Sequence, residues 1–485
     1  MIRLKTDLKH RIYGIVLSVV YLIIVIIFMF LLIKTALFTT KLIVLAGTVL
    51  FFVTAGIFVL VFDSRKKVKT VIGTVLALIS IALQITGAYY ISTGASALED
   101  ITAPSQEYSE VGVYVLKDDT AKSIEDTKGY TFGILDVLDR TTTDEVIAEL
   151  EKLLGGAIQI KTYSGVSELL DAFIRNGEVK AILLNLSLLD IVVDTGEHEN
   201  DIALMRLLYF FKVAVSEGFE KPEYFKPKDH FIVYITGVDC YGGISRRSRS
   251  DVNILATVNK KTGQILLIST PRDYFVPLSI SNGVPDKLTH AGVYGTNVSR
   301  DTIAMLYGID IDYYFKVNFD GFKGIIDALG GVTVNSEYAF KAYKYSFVQG
   351  ENFMDGETAL VFSRERYQLA GGDRQRGKNQ MAVIKGIINK AMSPALLTNY
   401  SAVLEGVKGS FETDMPYEMI SHLVQNQLEN GTKWNTVSFS VDGTGSSAKP
   451  YSLSRNAYVM LPKQETVDKA KTLINQVING EIPTP

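Results

Sequence analysis

Three early stretches, residues 12–33, 42–62 and 71–91, are uncharged and almost continuously apolar over 21 or 22 positions. Each is long enough to cross about 30 Å of hydrocarbon as a helix, and two further spans after the first argue against a cleaved signal peptide. Gln84, the strongly polar side chain inside them, is expected to face a neighbouring helix. Residues 93–109 are small and polar and read as a stalk. The period then shortens. Apolar runs at 111–116, 130–135, 158–163 and 181–184 alternate with helical spacing at 142–154 and 166–174, the first helix opening on a capping-box-like Thr142-Thr143-Asp144-Glu145.

Residues 217–228 carry Pro222, Pro227 and several charges, which suits a linker. A second alternating region starts at His230. It predicts a strand at 230–237 and a hairpin of 252–258 with 264–269. A helix capped by Ser299 runs to Tyr307, and a strand follows at 313–318. A helix at 319–329 stops at Gly330-Gly331 before a strand at 332–335. Further helices are expected from Asp355 or Gly356 to Phe362, over 376–392, near 396–407 and 416–427, and at 464–478, with a strand at 436–441. The fold class is therefore α/β behind three transmembrane helices: anchor 1–95, accessory α/β domain 96–216, linker 217–229 and a second α/β domain 230–485.

Charge gives the orientation. Arg3, Lys5, Lys9 and Arg11 precede the first span, and Arg65, Lys66, Lys67 and Lys69 separate the second from the third. The positive-inside rule predicts a multi-pass cell-membrane protein with a cytoplasmic N-terminus and everything after about Ser92 outside. A net charge of -3 gives no global basic bias, and so little cytoplasmic chain leaves no place for nucleic-acid binding. One cysteine, Cys240, excludes an intrachain disulfide, and the five histidines show no i, i+4 zinc-ligand spacing. The accessory segment 96–205 holds 22 Asp/Glu against 8 Lys/Arg, a balance that repels phosphates.

The chemistry concentrates in 362–380, where Arg364, Arg366, Arg374, Arg376 and Lys378 are answered by Glu365 and Asp373 and split by Gly371-Gly372. Guanidinium forks match phosphate oxygens, which predicts a phosphorylated ligand. Asp239 follows one strand, Arg249-Ser250-Asp251 enters the next, and Pro271-Arg272-Asp273 leaves the third. Asp239 and Asp251 are suited to one hard cation, Mg²⁺ or Mn²⁺, with room for phosphate oxygens, while Arg249 and Arg272 add further walls. A hydroxyl acceptor would need a carboxylate base, and both Asp239 and Asp273 qualify by position. Cys240 is read as incidental.

These motifs, in this order, resemble the LytR-CpsA-Psr family. The match includes Gly237-Val238-Asp239, Arg249-Ser250-Asp251, Ser269-Thr270-Pro271-Arg272-Asp273, Lys287, and Asn318-Phe319-Asp320-Gly321-Phe322. It continues through Ala328-Leu329-Gly330-Gly331-Val332, Asp355-Gly356-Glu357-Thr358-Ala359-Leu360, Ser363-Arg364-Glu365-Arg366 and Asp373-x-x-Arg376-x-x-Asn379-Gln380. It covers about residues 231–392, and the three-span layout with an accessory domain is similar to the streptococcal capsule-locus type. The resemblance implies an α/β/α layer with a hydrophobic channel. It implies a phosphotransferase that moves a glycopolymer, here capsular polysaccharide, from an undecaprenyl-pyrophosphate carrier to peptidoglycan. Asp239 and Asp251 would then hold the metal. Arg249, Arg272, Lys287, Arg364, Arg366, Arg374, Arg376 and Gln380 would bind the polyprenyl pyrophosphate, with Asp239, Arg272, Asp273, Arg364 and Arg366 at the chemistry. The family's Arg-Gln ending is Asn379-Gln380 here, and Arg374 and Lys378 are the candidates to compensate. Two alternatives use the same residues: a polyprenyl-pyrophosphate phosphatase with water as acceptor, and a non-catalytic regulator of capsule synthesis or transcription, with the capsule synthesis machinery as its partner.

Overall fold

The computed structural model describes residues 2–62, 67–103, 106–194, 199–215, 227–238, 243–369, 371–393, 400–453 and 455–485. Asp239, Cys240 and most of the expected linker lie outside them.

The helices α1 (Ile2–Lys34), α2 (Thr40–Phe62) and α3 (Lys67–Ile101) are each long and apolar enough to cross a membrane. They pack through Tyr21, Ile57, Val61 and Ala77, and Gln84 reaches Ser80 Oγ at 3.2 Å and Tyr21 Oη on α1 at 3.5 Å. The expected stalk is corrected, because α3 continues to Ile101. Its Ala95 and Leu98 are buried against Leu37 and the partly buried Leu404, Tyr417 and Ile420, and such burial holds small helix-compatible residues in helical form.

The accessory domain comprises β1 (Tyr108–Leu116), β2 (Thr131–Leu135), α4 (Arg140–Leu154), β3 (Gln159–Tyr163), α5 (Val166–Leu170), β4 (Ala181–Asn185), α6 (Leu186–Asp194), α7 (Glu199–Ile202) and β5 (Met205–Ala214). Its sheet runs β3-β2-β4-β1-β5, with helices on both faces because alternate residues of β1 enter two cores. Edge strand β5 escaped the sequence reading, since exposed Leu207, Tyr209 and Phe210 blur its alternation. The helix α4 forms no capping box: Asp139 holds its N-cap position without a side-chain bond to the helix backbone, and its carboxylate accepts from Thr142 Oγ1 instead.

The second domain begins with β6 (His230–Val238), β7 (Ser250–Asn259), β8 (Gln264–Ser269), β9 (Phe275–Pro277), β10 (Pro285–Lys287), α8 (Ala291–Tyr294), α9 (Thr296–Tyr307), β11 (Tyr313–Val317) and α10 (Phe319–Ala328). It continues with β12 (Val332–Ser336), β13 (Phe340–Ala342), β14 (Tyr345–Phe347), β15 (Gly350–Met354), α11 (Gly356–Arg364), α12 (Gly372–Ala391) and α13 (Tyr400–Val407). Its last elements are β16 (Phe411–Thr413), α14 (Tyr417–Asn430), β17 (Asn435–Ser440), β18 (Gly443–Ala448), β19 (Ala457–Pro462) and α15 (Gln464–Ile478). Among the boundaries that differ from expectation, α9 opens at Thr296 with Ser299 inside it, and α12 opens at Gly372 rather than Arg376.

The central sheet runs β16-β11-β6-β7-β8-β17. Its strands are apolar on both faces. Ile232, Tyr234, Leu255, Leu266 and Ile268 pack with α9 and α15, while Phe231, Val233, Ile254, Ala256 and Leu267 pack with α12 and α14. This is an α/β/α sandwich, as continuous burial on both sides requires. A third cluster, including Ile326, Val332, Phe347, Phe362 and Val383, joins α10, α11 and α12 to the hairpins beside them.

Candidate functional site

The second face of the sheet does not close completely. Val233 and Ile235 of β6, Ala256 of β7, Phe315 and Val317 of β11, Ile325 of α10, Val361 of α11 and Ile384, Ile387 and Ile388 of α12 line a channel of about 550 Å³. At one end its lining turns polar, through Asp251, Arg272, Arg364, Arg366, Arg376 and Gln380. An apolar tube with a cationic rim is shaped for an amphiphile with an anionic head.

Each rim residue has a local reason for its place. The helix α11 is capped by Asp355, whose side chain accepts from Thr358 N, and ends at Arg364, whose guanidinium lies 4.3 Å from the Phe319 ring centroid. Glu365 accepts from the backbone N–H groups of Tyr367 at 2.6 Å and Gln368 at 2.8 Å. It shapes the loop carrying Arg366, which stacks 4.7 Å from the Tyr367 ring centroid. Gly372 (φ 52) supplies the left-handed turn from which α12 projects Arg376. A Cβ at Gly377 would lie 2.5 Å from Ser269 Oγ, so glycine lets the helix settle onto the end of β8.

Asp251, near the start of β7, accepts from Arg272 Nη1 at 2.9 and 2.8 Å and from Thr289 Oγ1 at 2.9 Å. Burial works against its charge, but Arg272, Arg376 and Arg249 outweigh it and hold the carboxyl below its ordinary range. Asp373 behaves oppositely. Burial pushes its carboxyl up, Arg376 pulls it back, and Asp273 and Asp251 add to the rise, although Arg376 Nη2 lies 2.5 Å away. Asp251, Asp373, Arg272 and Arg376 also border a small cavity beside the channel rim.

The structure thus brings Asp251, Arg272, Arg364, Arg366, Arg376 and Gln380 to one rim. Arg249 is close enough to lower Asp251, while Asp239 lies outside the described residues. Lys287 and Asp273 are not on the channel wall. They pair at 3.3 Å behind Arg272, whose Nε is 3.8 Å from Asp273. Arg374 turns to Asp442 at 2.8 Å and borders the small cavity rather than the channel. Lys378 pairs with Glu337 at 3.0 Å on the opposite flank of α12. Asn379 is buried, donates to Phe362 O at 3.2 Å, accepts from Gln375 Nε2 at 3.2 Å, and so ties α12 to α11 without facing the rim.

Sequence reasoning gave no individual part to Thr289 or Asp373, or to the channel wall. A helix opening at Gly372 would have put 376, 380, 384 and 387–388 on one stripe, so that signal was present. Nothing local marked Thr289. The fold also assembles Asp286, His290 and Ser452, which the sequence did not suggest. Asp286 Oδ1 (2.7 Å) and Ser452 Oγ (2.8 Å) both engage His290 Nδ1, and all three residues are buried. With both partners on one ring nitrogen, the trio is a structural pin and not a relay.

The second domain is thus an α/β/α sandwich whose apolar channel ends in a cationic rim. The LytR_cpsA_psr family model matches residues 210–476, more than half of the 485-residue chain, and the chain belongs to that family. The chain is 34% identical over 223 residues to the polyisoprenyl-teichoic acid–peptidoglycan teichoic acid transferase TagU of Bacillus subtilis (strain 168), spanning 43% of this chain and 72% of that protein. The protein of the same name from Enterococcus faecalis is 36% identical over 193 residues, 39% of this chain and 63% of that one. Among solved structures, B. subtilis TagV aligns with TM-score 0.44 and 26% identity, covering 54% of this chain and 100% of that one. TagT bound to LI-WTA aligns with TM-score 0.42 and 26% identity, covering 55% and 99%.

Proposed function

We propose that this chain is a membrane-anchored phosphotransferase that moves a glycopolymer from a polyprenyl pyrophosphate, of the undecaprenyl type, to peptidoglycan. The observation that carries the reading is the apolar channel ending at Arg272, Arg364, Arg366 and Arg376. The teichoic acid transferases for which its relatives are named support the same class. The capsular polysaccharide expected from the three-span layout and a teichoic acid would share the carrier pyrophosphate that this rim reads. The N-terminus lies in the cytoplasm and the α/β domains outside, where carrier-linked polymers meet the wall.

In the mechanism, the prenyl chain occupies the channel, and the rim arginines hold the pyrophosphate oxygens. The acceptor hydroxyl attacks the phosphorus that bears the sugar. A P–O bond forms to peptidoglycan, the bridging P–O bond breaks, and polyprenyl phosphate leaves with the electron pair. Phosphoryl transfer asks mainly for positioning and charge neutralisation, which four guanidinium groups supply. The acceptor proton goes to a carboxylate at the small cavity. Asp373, with its carboxyl pushed up, is a better base there than Asp251, which is held down. Asp251 also fits a hard divalent cation, because its ionised carboxylate reaches the rim and keeps oxygen lone pairs beyond those taken by Arg272 and Thr289. Asp239 would be its partner, and Mg²⁺ bound there would polarise the transferred phosphoryl group.

The full chain in detergent, given Mg²⁺, a prenyl-pyrophosphate oligosaccharide and peptidoglycan fragments, is expected to yield a phosphodiester-linked conjugate visible by mass spectrometry. Release of prenyl phosphate without conjugate would instead support a phosphatase. Binding without turnover would support a regulator.

A further inference from the structure

The accessory domain touches the catalytic domain on the segment that delivers Arg249 and Asp251. Tyr108 N donates to Ser245 O at 3.0 Å, and Arg247 N donates to Tyr108 O at 3.0 Å, so β1 continues as backbone pairing into the site loop. Ser187 Oγ, at the start of α6, donates to Arg247 O at 2.6 Å. Arg246 Nε lies 3.2 Å from Glu110. Just before β1, the nearly buried Glu107 accepts from Lys316 Nζ at 2.8 Å, Arg247 Nε at 3.3 Å and Thr296 N at 3.3 Å. Lys316 is followed on its strand by Val317 and then by Asn318 and Phe319, which all line the channel.

The same loop is held from its other side. Thr289, which grips Asp251, sits between Asp286 and Ala291 on a segment pinned to Ser452 through His290. Three residues on, a Cβ at Gly292 would lie 2.4 Å from Ser248 O and 2.7 Å from Ser250 N, so that segment rests directly on the loop backbone. Val293 and Leu453 then enter the core of the accessory domain. The accessory domain therefore reaches Asp251 by two routes, through residues 245–250 and through Thr289.

We propose that the accessory domain is a brace for the catalytic loop, and that Glu107 and Ser187 are positioning residues that fix Arg249 and Asp251 through Arg247. This deepens the transferase reading and rests on it for its kinetic arm. A misplacement of about 1 Å in charged groups aligned on a transition state costs up to about a hundredfold in rate, while the prenyl chain, bound elsewhere in the channel, is indifferent.

The test uses the full chain with Glu107→Gln and, in case that variant folds poorly, Ser187→Ala, which removes one hydroxyl. Donor cleavage is followed with a prenyl-pyrophosphate oligosaccharide, and hydrogen exchange is read peptide by peptide. Expected are a kcat lowered about tenfold in Glu107→Gln and about threefold in Ser187→Ala, KM for the donor within about twofold, and faster exchange confined to residues 243–253. Glu107→Asp, which keeps the charge, should recover part of kcat. Unchanged kcat in both variants, or a fall matched by global loss of exchange protection, would overturn the proposal. If the unaltered chain cleaves no donor, the transferase reading fails, and the exchange pattern still decides whether the brace exists.

Discussion

The two flanks of α12 are built to opposite specifications. One presents Arg376, Gln380, Ile384, Ile387 and Ile388 to the channel, a polar head followed by an apolar wall. The other presents Gln375, Lys378, Asn379, Lys385, Asn389 and Lys390 to a polar groove of about 890 Å³ shared with β12, β15 and β17. Both carry positive charge within a few residues of each other, yet only the first joins charge to an apolar bed. What separates a ligand rim from a solvated basic face is therefore the surface behind the charge, which a count of arginines and lysines does not register.

The comparison can be broken most sharply at the rim. Arg366→Ala should lower donor cleavage by about 100-fold or more, the loss typical of one preorganised charge donor, as measured by release of prenyl phosphate. Arg272→Ala should do at least as much. It should also destabilise the fold by about 1–3 kcal/mol in denaturant unfolding, because it takes one hydrogen-bonded guanidinium from the partly buried Asp251. Next comes the wall. Ile384→Trp should raise KM for long-chain carriers about tenfold and leave short-prenyl donors nearly unaffected, and equal loss on both would mean that the channel does not hold the chain.

Acid should separate the flanks by another route. Burial opposes the charge of Glu107, but Lys316, Thr296 and Arg247 prevail and bring its carboxyl from 4.5 down to about 2. A lowered carboxyl stabilises the fold fully above its ordinary value. The contribution is then lost as pH falls from 4.5 through about 2. Hydrogen exchange across that window should rise at residues 243–253 before it rises along the groove. The smallest effect is expected at Lys378→Ala, within about twofold of full donor cleavage, since its exposed pair with Glu337 contributes little. A large loss there would put the rim on the wrong flank.

Much of this was legible in the chain. Alternating apolar periods gave an α/β protein behind three spans, and Arg364, Arg366 and Arg376, picked out from the chain, do come together on one rim. The division of labour within the cluster was not. Starting α12 at Arg376 hid the stripe through 380, 384 and 388, and left Arg374 and Lys378 as compensators for Asn379, when each has its own partner on another side. The channel itself needed β6, β7, β11, α10, α11 and α12 together, contacts too distant in sequence for any local pattern. The same holds for Thr289, whose value to Asp251 arises only when β7 and the segment after β10 meet.

The unbroken α3 has a further consequence. Its 35 residues, at 1.5 Å each, make a rod of about 50 Å, of which about 30 Å would cross the hydrocarbon. The remaining turns are not a tether, because Ala95 and Leu98 are packed under α13 and α14, Lys408 meets Asp100 at 2.6 Å, and Tyr417 Oη donates to Thr35 O at 2.6 Å. An enzyme mounted this way works at a set height above the bilayer. On the transferase reading it would join polymer to wall strands that pass within that layer, and the anchor would gauge where in the wall the newest chains are fixed.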